Sequence, residues 1–89
     1  MKKKLLMLGG SHGDIPLILS AKKMGFYVIT TGNRSKDIGH NYSDEYVQAD
    51  YSDKMKMLDL SRKLNVKGIC ATDDVSAVSA AYVAQNLGL

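Results

Sequence analysis

Residues Leu5 to Asp14, L-L-M-L-G-G-S-H-G-D, constrain this chain more than any other stretch. Leu5, Leu6, Met7 and Leu8 form an unbroken apolar run that stops at Gly9-Gly10, and Gly13, Asp14 and Pro16 follow. Consecutive apolar residues suit a parallel strand buried on both faces. Asp14 is a good helix N-cap, and a proline soon after it fits the first helical turn, where no amide bond is lost. The segment therefore reads as strand, glycine-rich turn, helix. In that arrangement the turn amides and the positive end of the helix converge on one spot, a ready anion site.

The helix is expected from about Ile15 to Gly25, with Leu17, Ile18, Ala21 and Met24 on its apolar face, Lys22 and Lys23 pointing away and Gly25 stopping it. Phe26 to Thr31 is rich in β-branched and aromatic residues and reads as a second buried strand. Together these make a βαβ unit with the usual right-handed crossover. The polar stretch Gly32 to Ser43 is a long loop for so small a chain, and loops of that kind tend to be functional. Asp44 to Ala49 reads as a short edge strand. A helix capped by Ser52 or Asp53 runs to about Leu64, with Met57, Leu60, Ser61 and Leu64 inward. Val66 to Ala71 is a fourth strand, and Thr72-Asp73-Asp74 is a turn with an aspartate cap. The last helix spans about Val75 to Asn86 and uses Val75, Val78, Tyr82 and Val83.

The pattern β-α-β-loop-β-α-β-α implies an α/β, Rossmann-like parallel sheet of about four strands, order 3-2-1-4, with helices on both faces. Ligands in such sheets sit outside the carboxyl ends of the strands at the reversal, here between strands one and four. Three segments meet on that rim: Gly9, Gly10, Ser11, His12 and Gly13; Asn33 and Arg34; and Thr72, Asp73 and Asp74. The amides and Ser11 would donate to an anion, and Arg34 could grip a carboxylate or phosphate with its fork. His40 reads as a solvent-facing loop residue, and Cys70 as plain core. No catalytic residue and no metal site is expected, because no His/Cys spacing suits zinc and two adjacent aspartates alone hold no metal.

Eighty-nine residues make one small domain, residues 1–89, which buries roughly two-thirds of its unfolded surface. A hydrophobic content of 45% and a charged content of 24% are ordinary for a globular protein. No apolar run approaches the ~20 residues of a membrane span, and the run after Lys2-Lys3-Lys4 is too short for a secretory signal. The single cysteine cannot form an internal disulfide, which points to the cytoplasm. The net charge of +3 forms no basic stripe interleaved with aromatics, so nucleic acid is not an expected partner.

Against the dinucleotide fingerprint G-x-G-x-x-G, Gly10 and Gly13 align with the last two glycines and Leu8 falls where the first should be. No carboxylate follows strand two for a ribose hydroxyl. Arg34 there leaves a small NADP-binding domain as the rival reading. A receiver-like regulatory module is a second rival, but the turn after strand one lacks the acidic pair a receiver would use.

The stretches K-L-L-M-L-G-G-S-H-G-D-I-P-L-I, V-I-T-T-G-N-R, H-N-Y-S-D-E-Y-V-Q-A-D-Y-S-D, G-I-C-A-T-D-D and A-A-Y-V-A-Q-N-L-G-L resemble the N-terminal domain of ATP-grasp ligases. They are most similar to the carbamoyl-phosphate synthase large-subunit-like and biotin carboxylase-like branch. The resemblance implies a pre-ATP-grasp domain whose glycine turn lines the substrate side of the cleft. It matches Gly9, Gly10 and Ser11 to the family's turn after strand one, Asn33-Arg34 to its second loop, and Thr72-Asp73-Asp74 to its turn after strand four. ATP and Mg²⁺ would be bound mainly by an ATP-grasp module that this sequence does not contain, so the domain alone is expected to bind neither and to be inactive. An anionic small molecule and that module are the implied partners, with a homo-oligomer as an option. The chain, ending at a helix where a fifth strand would follow, looks like the front of something longer.

Overall fold

The computed structural model describes residues 2–89. Its strands are β1 (Lys4–Leu8), β2 (Tyr27–Gly32), β3 (Glu45–Gln48) and β4 (Gly68–Ala71), and its helices are α1 (Ile15–Lys23), α2 (Lys54–Leu64) and α3 (Asp74–Leu87). All four strands are parallel, in the order β3-β2-β1-β4. Leu6 pairs with Ile29 on one side and Ile69 on the other, so β1 lies in the middle with its apolar run covered. This is the expected α/β Rossmann-like sheet.

Side chains alternate across the pleat and build two unequal cores. Leu6, Leu8 and Ile29 face Met57, Leu58, Ala80 and Val83 of α2 and α3. Met7 and Val28 face Ile18 and Ala21 of α1, with Leu5 and Phe26 around them. Helices do cover both faces, but α1 works alone on its side.

The helix faces differ in phase from the periodicity reading. In α1, Ile18 and Ala21 are buried, whereas Leu17 is exposed, as is Met24 just past the helix end, by 76%. The helix ends at Lys23, ahead of Gly25 at φ +97°. In α2, capped by Asp53, Leu58 is buried beside Met57 and Ser61, while Leu60 and Leu64 are only half-buried. In α3 the buried residues are Ser76, Ser79, Ala80 and Val83, and Val75 and Val78 face solvent. The cap sets that phase. Asp73 accepts from the Ser76 amide at 2.7 Å, and the Ser76 hydroxyl bonds back toward the cap, which turns Ser76 inward.

The two sheet edges are unlike. β3 presents Glu45 and Gln48, which blunt it, and β4 presents Gly68, Ile69, Cys70 and Ala71, all half-buried and uncharged. Cys70 is thus a half-buried edge residue rather than central core, and burial pushes its thiol up.

Candidate functional site

β1 ends at a corner packed tightly at Gly9 and Gly10. Gly9 sits at φ +141°, and a Cβ there would stand 2.2 Å from Thr72 Oγ1. That hydroxyl donates to the Leu8 carbonyl at 2.8 Å and ties the tip of β4 to the tip of β1. At Gly10 a Cβ would lie 2.2 Å from His40 Cε1. Glycine is required at both positions by the close approach of other side chains.

Asp14 does not cap α1. The chain makes a 3-10 turn at His12–Asp14, and the Asp14 carboxylate folds back to accept from the Ser11 amide at 2.9 Å and the Ser11 hydroxyl at 3.0 Å. The local reason is the capping-box spacing of Ser11 and Asp14, which satisfies the turn before the helix begins. The Ser11 donors expected to meet a ligand are therefore held by the protein's own carboxylate.

Over this corner lies an open cavity of about 580 Å³ at the carboxyl ends of the strands. Of the residues singled out in the sequence, Gly9, Gly10, Ser11, Asn33, Arg34, Thr72 and Asp73 line it. His12, Gly13 and Asp74 lie outside the lining and are exposed. Arg34 is 85% exposed at its side chain and reaches Asp37 with Nε at 3.5 Å, so its outer nitrogens remain open to solvent. Asp73 caps α3 and accepts from the Tyr51 hydroxyl at 3.0 Å. The Ser76 amide, chiefly, holds its carboxyl below the usual carboxylate range, and burial pushes the Tyr51 phenol up.

The periodicity reading missed Asp14, Asp37, His40, Asp50 and Tyr51 as lining residues. Asp50 accepts from both the amide and the hydroxyl of Ser52, which hold its carboxyl low. With Asp14, Asp37, Asp50 and Asp73 against Arg34, the wall is mostly acidic with one cationic end. Among the described residues no group of three or more His, Cys, Asp or Glu side chains is placed to hold a metal ion.

His40 departs furthest from its expected place. It is buried, with 9% exposure, because the Gly32–Ser43 loop folds back in a 3-10 turn (Ile38–Asn41) beneath Gly10. Its Nδ1 lies 2.8 Å from Thr30 Oγ1, and its ring stacks on Tyr46 with centroids 4.0 Å apart. Burial lowers its pKa from the ordinary 6.5, against the opposing pull of Asp37, the Arg34 carbonyl and Asp14. A depressed folded pKa means the unfolded chain takes the proton first, so stability is full above about pH 6.5 and falls as pH drops below it. Urea midpoints measured across that range should fall with pH in the unaltered chain and flatten in His40→Asn.

Among the described residues no helix is long and apolar enough to cross a membrane. No protein-family model matches the chain, and neither does any curated protein. Solved structures do. The phosphoribosylglycinamide synthetase of Anaerococcus prevotii superposes with TM-score 0.89 at 27% identity, over 100% of this chain and 23% of that one. The N5-carboxyaminoimidazole synthetase of Staphylococcus aureus, complexed with ADP, gives 0.74 at 22% identity, over 96% and 23%. The Bordetella bronchiseptica enzyme WbmH, in complex with NAD+, gives 0.69 at 14% identity, over 99% and 37%, a likeness of fold alone. The chain spans about a quarter of the length of the two synthetases. The two synthetases are ATP-grasp enzymes, and the chain has the fold of the domain that precedes an ATP-grasp module.

Proposed function

We propose that residues 1–89 form the substrate-side, pre-ATP-grasp domain of an ATP-dependent ligase and hold a small anionic substrate, or its acyl phosphate, beside the ATP site. The supporting observation is the cavity at the reversal between β1 and β4, with Arg34 at its rim, on a chain that superposes end to end on a phosphoribosylglycinamide synthetase. The name of the phosphoribosylglycinamide synthetase suggests a phosphorylated ribose derivative as the substrate class. In this reading Arg34 takes the phosphate, and Gly10, Asn33 and Thr72 shape the floor. Ser11 joins them only if the anion displaces the Asp14 carboxylate. ATP and Mg²⁺ would be held by the ATP-grasp module, in the cytoplasm, and the carbamoyl-phosphate synthase-like branch is one member of this ligase class.

The domain's contribution would be positioning and electrostatic, since an oriented donor set lowers the barrier without giving up a proton. The dinucleotide reading is less well served. A pyrophosphate needs the turn amides, and Asp14 both occupies the Ser11 amide and sets a carboxylate where the pyrophosphate would sit. Titrations of ribose 5-phosphate, NADPH and ATP, followed by amide chemical shifts, test the assignment. Ribose 5-phosphate should move Gly10, Asn33, Arg34 and Thr72, and Arg34→Ala should weaken it about tenfold, the value of one charge-assisted contact. Saturable NADPH binding without ribose 5-phosphate binding would overturn it.

A further inference from the structure

The basic residues are scattered along the sequence but gathered in the molecule. All four strands run parallel, so their starting ends share one rim, and the three helices end at the same level. Backbone bonds seat the first lysines there: the Tyr27 amide donates to the Lys3 carbonyl at 2.9 Å, and the Lys67 amide to the Lys4 carbonyl at 2.8 Å. Lys2 and Lys3 wall an open hollow with Met24, Gly25 and Phe26. Lys22 and Lys23 fall in the last turn of α1, and Arg62 and Lys63 in the last turn of α2, on opposite faces of the sheet. Eight of the twelve basic side chains thus lie at this amino end. Six of the nine acidic ones lie at the opposite end, the four aspartates of the cavity wall together with Asp53 and Asp74.

The positive charge at the amino end is left open. Among the described residues the ion pairs are Lys22 with Asp44 and Arg34 with Asp37, so the other seven basic groups of this end have no carboxylate partner, and all seven are exposed. The two acids on the rim are already engaged, Asp44 by the Val28 amide at 2.8 Å and Glu45 by the Tyr27 hydroxyl at 3.0 Å. Helix carbonyl ends give Lys23, Arg62 and Lys63 a local use. They give none to Lys2, Lys3, Lys4 or Lys67, and α3 ends on the same rim without a basic residue in its last turn. Amid the lysines stands Met24, an apolar side chain 76% exposed.

We propose that the amino end is a docking face for an anionic membrane surface, with Met24 entering the headgroup layer and the lysines around it meeting lipid phosphates and carboxylates. Charge complementarity selects this partner, since clusters of about four to eight lysines and arginines are what acidic leaflets attract. Six of the seven unpaired groups are lysines, mobile point charges that suit a fluid sheet of headgroups better than one anion of fixed shape. An exposed apolar side chain inside such a cluster adds burial to the attraction. For a nucleic acid the face offers no aromatic platform, because Phe26 is half-buried against the α1 core. Attachment of this kind is peripheral and needs no spanning helix. The cavity opens at the far end of the strands, so a docked molecule holds it toward water, its acidic wall away from the acidic lipid. This face owes nothing to the ligase reading.

Vesicle flotation decides it. Vesicles of phosphatidylserine and phosphatidylcholine in equal parts should carry the unaltered chain, and vesicles of phosphatidylcholine alone should not. Lys2→Gln, Lys3→Gln and Lys23→Gln together should weaken binding about a hundredfold, at about fivefold for each charge near an acidic leaflet. Lys36→Gln, Lys54→Gln and Lys56→Gln remove the same net charge from the other end and should leave binding nearly unchanged. All six side chains are exposed, so both triple variants keep the fold. The chain has no tryptophan, which makes Met24→Trp a clean reporter, and its emission should shift to the blue on the acidic vesicles. Equal losses in the two triple variants would reduce the effect to net charge and overturn the proposal. So would an unshifted emission, a failure to float, or tighter binding to duplex RNA than to the acidic vesicles. Each of these results leaves the ligase reading standing.

Discussion

Gly39→Ala should be the most damaging single methyl in the molecule. A Cβ at that position would stand 2.3 Å from the Gly10 carbonyl oxygen, 2.5 Å from its carbon and 2.8 Å from the Ser11 oxygen. Main chain meets main chain there, so no rotamer change relieves the overlap. The loop must lift off the glycine corner, which withdraws His40 from Thr30 and Tyr46. Overpacking of this kind costs on the order of 3 kcal/mol, a large part of a small domain's stability. The urea midpoint should fall by about 3 M, taking a slope of about 1 kcal/mol per molar for so small a domain. Ribose 5-phosphate binding should go with it. Gly25→Ala is the comparison, with φ +97° but nothing within 4 Å, so it carries only the left-handed backbone penalty of about 1 kcal/mol. Equal midpoints for the two variants would refute the packing described at Gly39.

Ile18→Ala is expected to cost about 3 kcal/mol, in the middle of the range for emptying a fully buried aliphatic site. The reason lies in how little holds α1. Ile18 and Ala21 are its buried residues, and they meet Met7 and Val28 on a face no other helix covers. The opposite face has Met57, Leu58, Ala80 and Val83 from two helices and can redistribute a loss. Because α1 follows directly on the turn that carries Ser11 and Asp14, loosening it should also blur the site. Met24→Ala, at the C-cap of the same helix and 76% exposed, should stay within about 0.5 kcal/mol. Calorimetric unfolding of the two variants separates a docking role for Ile18 from a general dislike of alanine in this helix.

Local chemistry made the sheet legible in the sequence. The run Leu5–Leu8 has to be buried on both faces, Gly9-Gly10 has to end it, and alternating strands and helices leave few topologies. The inward faces of α1 and α3 were less legible, because apolarity alone did not reveal their phase. Asp73 starts α3 where Ser76, Ser79 and Ala80 turn to the sheet, and these small residues let the helix sit close while Val75 and Val78 look outward. His40 was beyond local reading. Its burial depends on a loop closing on a glycine corner far away in the sequence, and a histidine beside Gly39 in a polar loop was the one signal available. Asp14 was misplaced for a subtler reason. Ser11 and Asp14 can satisfy each other, and that exchange outcompeted the cap.

The hydrogen bond from Thr72 to the Leu8 carbonyl spans 64 positions. The wall of the cavity is thus closed by a contact between the start of the chain and its last quarter. Loop closure of that length costs entropy before it returns any contact energy, which makes β4 the costliest strand to recruit. A molecule that has zipped β1 to β2 but not yet gained β4 has no chamber to offer. Occupancy therefore reports completion of folding, and a ligand present during refolding would favour the finished state alone.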